Sequence, residues 1–406
     1  MVLTFNIHFI LLLLLSACYI LDCCNLKFKT VVIKLGDRTL FRITFNFLYL
    51  ICFMSMFFCV AFRYGEGEDY YHYQNIFSYV KAYDFKNFMM YMKNERYEIG
   101  WCFINHLFYV MGLQFKHLCI VLAIIDAILI ERFIKFLGVE SKGVVVLFYL
   151  MPTYYFTFLQ SGMRQGLIMC IFSGIMVPFL LKKKYISYYI WNFIAVSFHT
   201  LALIYAVFPL IVFLSKRIKN KISTARLEML CILSAALGAF LFYTGIWYDV
   251  YAALPTKISG HFYVEFSLGA VLLRLSVFFL MRIFRKKTDV EYLTDLYRLY
   301  LWGNIFFFVF SGLTLMANRL YISFGITIEI ILLVLYLKSN SNSNNKRILL
   351  LALMGILMAV YIKNVDARMT NLGFKYYKWY NYPVETIFKH EEKIQNWNDI
   401  LNQLQP

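Results

Sequence analysis

The stretch GVVVLFYLMPTYYFTFLQSGMRQGLIMCIFSGIMVPFLL (residues 143–181) consists of two apolar runs that are separated by a short polar turn. Each run approaches the roughly 20 residues that an α-helix needs to cross the hydrocarbon core of a bilayer. The turn carries Arg164, and a charge at that depth is costly unless it faces a cavity, a partner or the headgroups. The stretch therefore predicts two successive membrane helices with an arginine where they meet.

The composition of the whole chain agrees with a membrane location. Of the 406 residues, 61% are hydrophobic and only 16% are charged. A soluble domain of this length cannot bury so much apolar surface, and many stretches are long enough to span a bilayer. We expect an all-α polytopic membrane protein in the cytoplasmic membrane.

The net charge of +17 raises the question of a nucleic-acid partner, but the distribution of the charge argues against one. Half of the 40 Lys and Arg residues lie in five short segments next to apolar runs, a pattern that marks cytoplasmic loops. These segments are 27–42, 182–184, 216–226, 282–287 and 338–347. We expect the lipid bilayer as a partner and no nucleic acid.

The basic segments and apolar runs combine into one topology of about 10–11 transmembrane helices. The predicted spans are 3–21, 43–62, 116–137, 143–160, 162–181, 227–247, 263–284, 297–315, 320–337 and 348–362. Together they make residues 1–363 a single transmembrane domain, and 364–406 a periplasmic amphipathic tail. "LSAC" at 15–18 also resembles a lipoprotein cleavage box, but no Lys or Arg precedes the apolar run, so a first membrane helix is favoured.

Two segments do not fit simple crossings. Residues 63–115 form the first large periplasmic loop, and within it 99–114 are short and contain polar residues, which predicts a re-entrant or interfacial helix. The segment 185–214 has basic clusters at both ends, so one crossing would place them on opposite sides. It is interpreted as two short arms, 185–198 and 200–214, that bend near His199.

With this topology the polar residues away from the basic loops fall on or near the outer side. They are Arg63, Asp69, Glu98, Arg164, His199 and Arg319. Arg164 has polar neighbours, and a guanidinium can bind phosphate through two parallel hydrogen bonds. The alternative is that Arg164 extends to the headgroups or pairs with an acid for packing. Arg319, beside Asn318, and Arg63 repeat the pattern at other helix ends.

Three side chains are candidates for proton transfer. Asp69 and Tyr73 are four residues apart, so a helical turn would place them on one face. Glu98 lies where the chain returns to the membrane, and a carboxylate there can deprotonate a sugar hydroxyl. The alternative is an exposed loop acid that pairs with Lys81 or Arg96. His199, at the proposed helix break, is the third candidate.

Other chemistries find no support in the sequence. It has no P-loop, no dinucleotide-binding glycine motif, no H-E-x-x-H and no G-x-S-x-G. None of the nine cysteines forms a C-x-x-C pair, and "EGED" (66–69) lacks further acids at metal-ligand spacing. We therefore predict no metal site.

An ordered series of short motifs resembles the EpsG family of bacterial membrane proteins, which are similar to Wzy-type polymerases of O-antigen and exopolysaccharide. The series is FRYGEGEDYYHY (62–73), YEIGWCFINHLF (97–108), SGMRQGL (161–167), SFHTLALI (197–204) and NRLYISF (318–324). It covers most of the chain, from about residue 60 to 325.

The resemblance implies a GT-C-like glycosyl transfer, without a metal or other cofactor, on the outer face of the membrane. A glycan would pass from undecaprenyl pyrophosphate to another lipid-linked repeat unit, so the partner is an undecaprenyl-pyrophosphate-linked oligosaccharide. A chain-length regulator is a further candidate partner. By this likeness Arg164 and Arg319 hold the pyrophosphate and Arg63 assists. Asp69, Glu98 and His199 are the catalytic candidates, and Tyr73, Gln165 and Asn318 are further candidates for substrate contacts.

Two alternative functions stay open. A flippase for the same lipid-linked oligosaccharide also needs basic residues in a cavity, typically with two similar halves, and no internal repeat is visible. A membrane acyltransferase that modifies sugars would use a catalytic histidine, but His199 has no acid next to it in the sequence.

Overall fold

The structure is a computed structural model. It describes residues 7–23, 29–35, 38–45, 47–65, 69–82, 84–94, 97–138, 143–159, 161–218, 223–253, 264–286, 291–339, 343–371 and 385–386. Within these ranges helices dominate, in agreement with an all-α membrane protein, and two short antiparallel strand pairs are the exceptions.

The first half of the chain contains the following elements. They are α1 (Ile7–Cys23), β1 (Lys29–Leu35), β2 (Arg38–Phe45), α2 (Phe47–Ala61), β3 (Arg63–Tyr64), α3 (Tyr70–Ala82), α4 (Phe85–Asn94), α5 (Ile99–Val110), α6 (Phe115–Leu137) and α7 (Gly143–Leu150). A π-helical segment, Met151–Leu159, continues α7. Helix α8 (Met163–Leu181) has a π-helical turn, Phe172–Met176, at its centre.

The second half begins with α9 (Tyr185–Phe198) and a 3₁₀ segment, Thr200–Val207, which leads into α10 (Phe208–Ile218). The remaining elements are α11 (Thr224–Tyr243), α12 (Ile246–Ala253), α13 (Leu268–Lys286), α14 (Glu291–Val309), α15 (Thr314–Lys338), α16 (Ser343–Asn371) and β4 (Glu385–Thr386).

Three helical stretches in the described residues are both long and apolar enough to cross a membrane. They are Met163–Leu181, Thr224–Tyr243 and Asn344–Val365, and shorter apolar helices occur at Ile7–Leu21, Tyr49–Ala61, Ile99–Val110, Val144–Tyr155 and Thr200–Phe213. Large apolar side chains such as Ile186 and Phe193 are exposed on outer helix faces, as expected for a surface that contacts lipid. The number of 10–11 crossings stays a prediction.

Helix α8 lies at the centre of the bundle, and most of its side chains are buried. It packs against α6, α9 and the π-helical end of α7. The close crossing with α6 depends on Gly174, because a Cβ there would lie 2.4 Å from the carbonyl oxygen of Leu129. Small residues at such crossings let membrane helices approach closely. The polar N-terminus of α8 therefore belongs to a helix that is buried along most of its length.

The predicted break at His199 is confirmed. His199 has extended backbone angles (φ −158°, ψ 124°) and separates α9 from the 3₁₀ segment. The hydroxyl of Tyr188 donates to the carbonyl of Tyr205 at 2.6 Å, and the amide of Asn192 donates to the carbonyl of Ala202 at 2.8 Å. These contacts pair the two arms antiparallel, so both ends of the hairpin lie on one side.

Helix α5 is shorter than the predicted segment 99–114. Its 12 residues span about 18 Å, at 1.5 Å per residue, against a hydrocarbon core of about 30 Å. The chain then turns at Gly112, whose φ of +70° is in the left-handed region that glycine favours, before α6 begins. The length of α5 agrees with a helix that does not cross, while its position in the membrane stays a prediction.

The basic segment 27–42, interpreted from the sequence as a loop, instead contains an antiparallel β-hairpin. Strands β1 and β2 pair from Lys29 with Phe45 to Leu35 with Arg38. Residues 43–45 thus belong to a strand, and the start of the predicted span 43–62 is wrong by four residues. Valine, isoleucine, threonine and phenylalanine are frequent in this segment, and such residues favour strands.

Part of the C-terminal tail also pairs with a strand. In β3 and β4, Arg63 lies opposite Thr386 and Tyr64 opposite Glu385. This pairing brings two tail residues to the end of α2 that was predicted to face outward. Helix α16 extends to Asn371, and the rest of the predicted tail 364–406 lies outside the described residues.

Candidate active site

The site is built around the N-terminus of α8. On one side of it lies an ion-pair cluster of Arg164, Glu98 and the hairpin tip at His199 and Thr200. On the other side lies a cavity of about 360 Å³ that is lined in part by Asp69, Gln165 and Arg274. Six of the nine residues selected from the sequence are therefore divided between two neighbouring groups.

Arg164 pairs with an acid, which is one of the alternatives that the sequence left open. Its Nη1 donates to Oε2 of Glu98 at 2.5 Å, and its Nε donates to the hydroxyl of Tyr73 at 3.4 Å. The guanidinium carbon lies 4.6 Å from the ring centroid of Tyr97, a cation–π distance. The side chains of Arg164 and Glu98 are only 16% and 9% exposed. Glu98 is therefore not an exposed loop acid, and that alternative is wrong.

The aromatic residues around Arg164 are themselves held in place. Tyr73 is buried, and its ring packs edge-to-face on Trp101, with centroids 5.2 Å apart. Burial raises the pKa of Tyr73, an effect that the charge of Arg164 partly opposes, so the phenol stays protonated. Tyr97 shares a hydrogen bond with Nε2 of His72. The guanidinium thus lies between two positioned phenol rings.

The second oxygen of Glu98 holds the tip of the hairpin that α9 and the 3₁₀ segment form. Oε1 accepts hydrogen bonds from the backbone nitrogen of Thr200 at 2.7 Å and from its hydroxyl at 3.2 Å. That nitrogen belongs to the first residue of the 3₁₀ segment, so the carboxylate compensates the positive end of a helix that is not its own. Close packing supports this contact, because a Cβ at Gly100 would lie 2.5 Å from Oγ of Ser197.

His199 lies beside this carboxylate. Its Nδ1 is 3.7 Å from Oε1 of Glu98 and accepts a hydrogen bond from the backbone nitrogen of Leu201 at 3.2 Å. In the neutral imidazole this places the proton on Nε2, which makes that atom a donor. Such a ring is suited to binding an oxyanion, and it accepts a proton only after the bond from Leu201 is lost. The acid that the sequence did not place next to His199 is supplied by Glu98.

The cavity contains the third catalytic candidate, Asp69. This residue directly precedes α3, and its carbonyl accepts the backbone hydrogen bond of Tyr73. Asp69 lines the cavity, whereas the side chain of Tyr73 contacts Arg164. Of the three candidates for a base, Asp69 lines the cavity, whereas Glu98 and His199 lie in the ion-pair cluster. Gln165, selected from the sequence for substrate contacts, also lines the cavity.

The cavity wall also contains a charged cluster that was not among the residues selected from the sequence. Arg274 of α13 forms an ion pair with Glu329 of α15, and the guanidinium carbon lies 4.1 Å from the ring centroid of Tyr321. Tyr321 donates to Oε1 of Glu329 at 2.8 Å, and the hydroxyl of Tyr149 donates to Oε2. A detectable signal was present, since Arg274 is the one charge in the apolar run 268–281 and Glu329 is the one charge in the run 320–337.

The other two arginines predicted from the sequence are Arg63 and Arg319. Arg63 is buried at the end of α2, where its Nη1 donates to the carbonyl of Val60 at 2.8 Å, so it compensates a helix C-terminus. Asn318 and Arg319 lie in α15, but their side chains are outside what the structure describes. A common anion for Arg164, Arg319 and Arg63 therefore stays a prediction.

The groups at the site were also compared with the ligand set that a metal ion needs, which is several His, Cys, Asp or Glu side chains close together. In the part of the chain that the structure describes, no three His, Cys, Asp or Glu side chains come together as a metal site would require. Two arginines, a lysine and the N-terminus of α8 are instead the positive groups at or next to the cavity.

The comparison with protein families gives one match. The family model described as the EpsG family matches residues 46–383, which is most of the 406-residue chain. The matched region contains both the ion-pair cluster and the cavity. No curated protein and no solved structure matches the chain.

Proposed function

The chain belongs to the EpsG family, a membership that suggests a polysaccharide-polymerase-like membrane protein, and from it we propose a specific reaction. The protein transfers a glycan from undecaprenyl pyrophosphate to a hydroxyl of another lipid-linked repeat unit. The reaction takes place on the outer side of the cytoplasmic membrane. The protein uses its own positive groups, without a metal, to stabilise the leaving group.

The observation that carries this proposal is the arrangement at the N-terminus of α8. Arg164 is held by Glu98 and Tyr73 through Nη1 and Nε, and its Nη2 donates to no residue in the described ranges. The N-cap residue is Gly162, which has no side chain to cap the helix, and backbone N–H groups of the first turn lack acceptors within the helix. This end of the helix forms part of the cavity wall, which includes Ser161, Gly162 and Gln165.

A helix N-terminus with an adjacent guanidinium is suited to a phosphate group. The helix dipole places partial positive charge there, and arginine adds a full charge with directed donors. During glycosyl transfer negative charge develops on the departing pyrophosphate, so donors that are already in position lower the barrier. The ion pair with Glu98 fixes Arg164 before substrate binds, and this is how Glu98 acts as a positioning residue.

Asp69 is the base in this proposal. The acceptor hydroxyl attacks the anomeric carbon of the donor sugar, and its proton passes to Asp69. The new bond joins the acceptor oxygen to the anomeric carbon, and the bond from that carbon to the phosphate oxygen breaks. Undecaprenyl pyrophosphate leaves with the bonding electrons. His199, whose Nε2 carries the proton in the neutral ring, donates a hydrogen bond to a phosphate oxygen.

The test is polymerisation by purified protein in detergent, with the lipid-linked repeat unit of the matching strain and EDTA in the buffer. Wild type should give a ladder on a gel. Arg164→Ala should lower the rate by about 10²–10³ and Asp69→Asn by about 10²–10⁴. Arg319→Ala tests whether Arg319 holds the pyrophosphate. His199→Ala tests whether His199 donates a hydrogen bond to a phosphate oxygen. Arg226→Ala, an exposed arginine at the start of α11, is the control and should leave the ladder unchanged.

Two results would contradict the proposal. If the ladder requires a divalent metal, the protein's own charges are insufficient for leaving-group stabilisation. If well-folded wild type gives no ladder but moves the lipid-linked oligosaccharide across liposome membranes, the protein is a flippase, and Arg164 binds substrate without catalysing transfer.

A further inference from the structure

The cavity beside α8 has more hydrogen-bond donors than its own acceptors satisfy. Its described charged residues are Asp69, Arg274, Glu329 and Lys363. The negative charge of Glu329 is satisfied within the wall, because its two oxygens accept hydrogen bonds from Arg274, Tyr321 and Tyr149. The remaining donors in the wall are the ones that a ligand can engage.

Lys363 of α16 is the first of these donors. It lines the cavity, and it forms no ion pair or hydrogen bond with any residue of the described ranges. Glu265 acts on it electrostatically but does not reach ion-pair distance. The next residue, Asn364, donates to the carbonyl of Pro152 at 2.9 Å and so holds this part of α16 against the cavity wall. Lys363 is therefore held at the cavity without a hydrogen-bond or ion-pair partner among the described residues.

Two further donors belong to buried side chains. Gln165 is 7% exposed, lines the cavity, and has no hydrogen-bond partner for its Nε2 among the described residues. Arg274 is 15% exposed, and its Nε has no partner either, although its Nη2 is bound to Glu329. Leaving a buried donor unsatisfied is destabilising, because the donor has lost its hydrogen bonds to water. A bound ligand with several oxygen acceptors would remove this destabilisation.

We infer that this cavity binds the whole pyrophosphate of the lipid carrier in two halves. One phosphate is held by the N-terminus of α8 with Gln165, next to Arg164. The other is held by Lys363 and Arg274, which neither the sequence motifs nor the family resemblance assigns to substrate. The inference rests on the proposed function and deepens it, because it assigns Lys363 and Arg274 to the second phosphate of the leaving group. The cavity volume of about 360 Å³ is at the small end of ligand pockets, as expected for a headgroup rather than a repeat unit.

The inference is tested by binding, without any sugar or turnover. The affinities of full-length protein in detergent micelles, in buffer with EDTA, are measured by calorimetry for inorganic pyrophosphate and for orthophosphate. Wild type should bind pyrophosphate at least about tenfold more tightly, because only the diphosphate reaches both halves. Lys363→Gln should reduce the affinity for pyrophosphate by about tenfold, to nearly that for orthophosphate.

A matched control separates a specific site from the general positive charge. Lys116→Gln removes the same charge from an exposed position at the start of α6 and should leave both affinities unchanged. The double variant Arg274→Gln/Glu329→Gln removes the second cation without leaving a buried charge unpaired, so it should fold and bind pyrophosphate as weakly as Lys363→Gln. Equal affinities for the two anions in wild type, or a wild-type affinity in Lys363→Gln, would overturn the inference.

The source of the diphosphate is tested by competition. Undecaprenyl pyrophosphate should displace inorganic pyrophosphate, and undecaprenyl monophosphate should do so about tenfold less well. If neither lipid competes, the cavity is a site for the free anion, and the assignment to the carrier headgroup is overturned. Failure of this inference differs from failure of the proposed function. If Lys363→Gln still produces a ladder, the binding of pyrophosphate in two halves is contradicted, but the polymerase function is not. If the protein binds undecaprenyl pyrophosphate tightly and produces no ladder, the polymerase function is contradicted, but the binding site is not.

Discussion

The ion pair between Arg164 and Glu98 should be strongly coupled, and a double-mutant cycle measures this directly. The perturbations are Arg164→Gln, Glu98→Gln and the double variant. At an effective dielectric constant of about 20, unit charges 4 Å apart interact by about 4 kcal/mol. The two side chains are mostly buried, so little of this is lost to solvent screening. We expect a coupling free energy of about 2–3 kcal/mol.

The assay is unfolding by SDS in mixed micelles, followed by tryptophan fluorescence and helical circular dichroism. Each single variant leaves one buried charge without its partner, so the double variant should be more stable than the sum of the single effects indicates. The pair Glu131–Lys135 is the internal control, since its side chains are 29% and 60% exposed at a separation of 3.2 Å. Exposed pairs of this spacing couple by about 0.3–0.5 kcal/mol.

A coupling free energy for Arg164 and Glu98 that equals the control value would refute the reasoning. It would mean that solvent or alternative partners replace the pair when one charge is removed. The role of Glu98 as the residue that positions Arg164 would then have to be abandoned.

Two further predictions follow from close contacts. Gly100→Ala should reduce polymerisation at least about tenfold in a folded protein, because the new Cβ would meet Ser197 and move Glu98 away from the hairpin tip. The matched control in the same gel assay is Gly355→Ala, since no atom lies within 4 Å of the Cβ position at Gly355. Glu329→Gln should destabilise the protein by about 3–5 kcal/mol in the SDS titration by leaving Arg274 unpaired, and adding Arg274→Gln should recover most of the loss. A single variant as stable as wild type would contradict the second prediction.

Much of the fold was predictable because hydrophobic length and basic clusters act locally along the chain. A run of about 20 apolar residues predicts a membrane helix whatever the rest of the sequence is, and a basic cluster indicates a cytoplasmic loop. The same logic predicted the break at His199, since basic clusters at both ends of 185–214 excluded a single crossing. The hairpin at 29–45 was missed, because its strands were treated only as part of a charged loop.

What the sequence by itself determined, then, is the membrane class, the positions of most helices, the family, and the location of Arg164 at a helix end. The partners of the charges were decided by tertiary structure alone. Glu98 contacts residues 66 and 102 positions away in the chain, and Arg274 contacts Glu329 55 positions away. The physical reason is that a buried charge requires a partner, but which partner reaches it depends on how separate helices pack. That packing depends on helix crossings such as the one at Gly174, which a hydrophobic pattern does not encode.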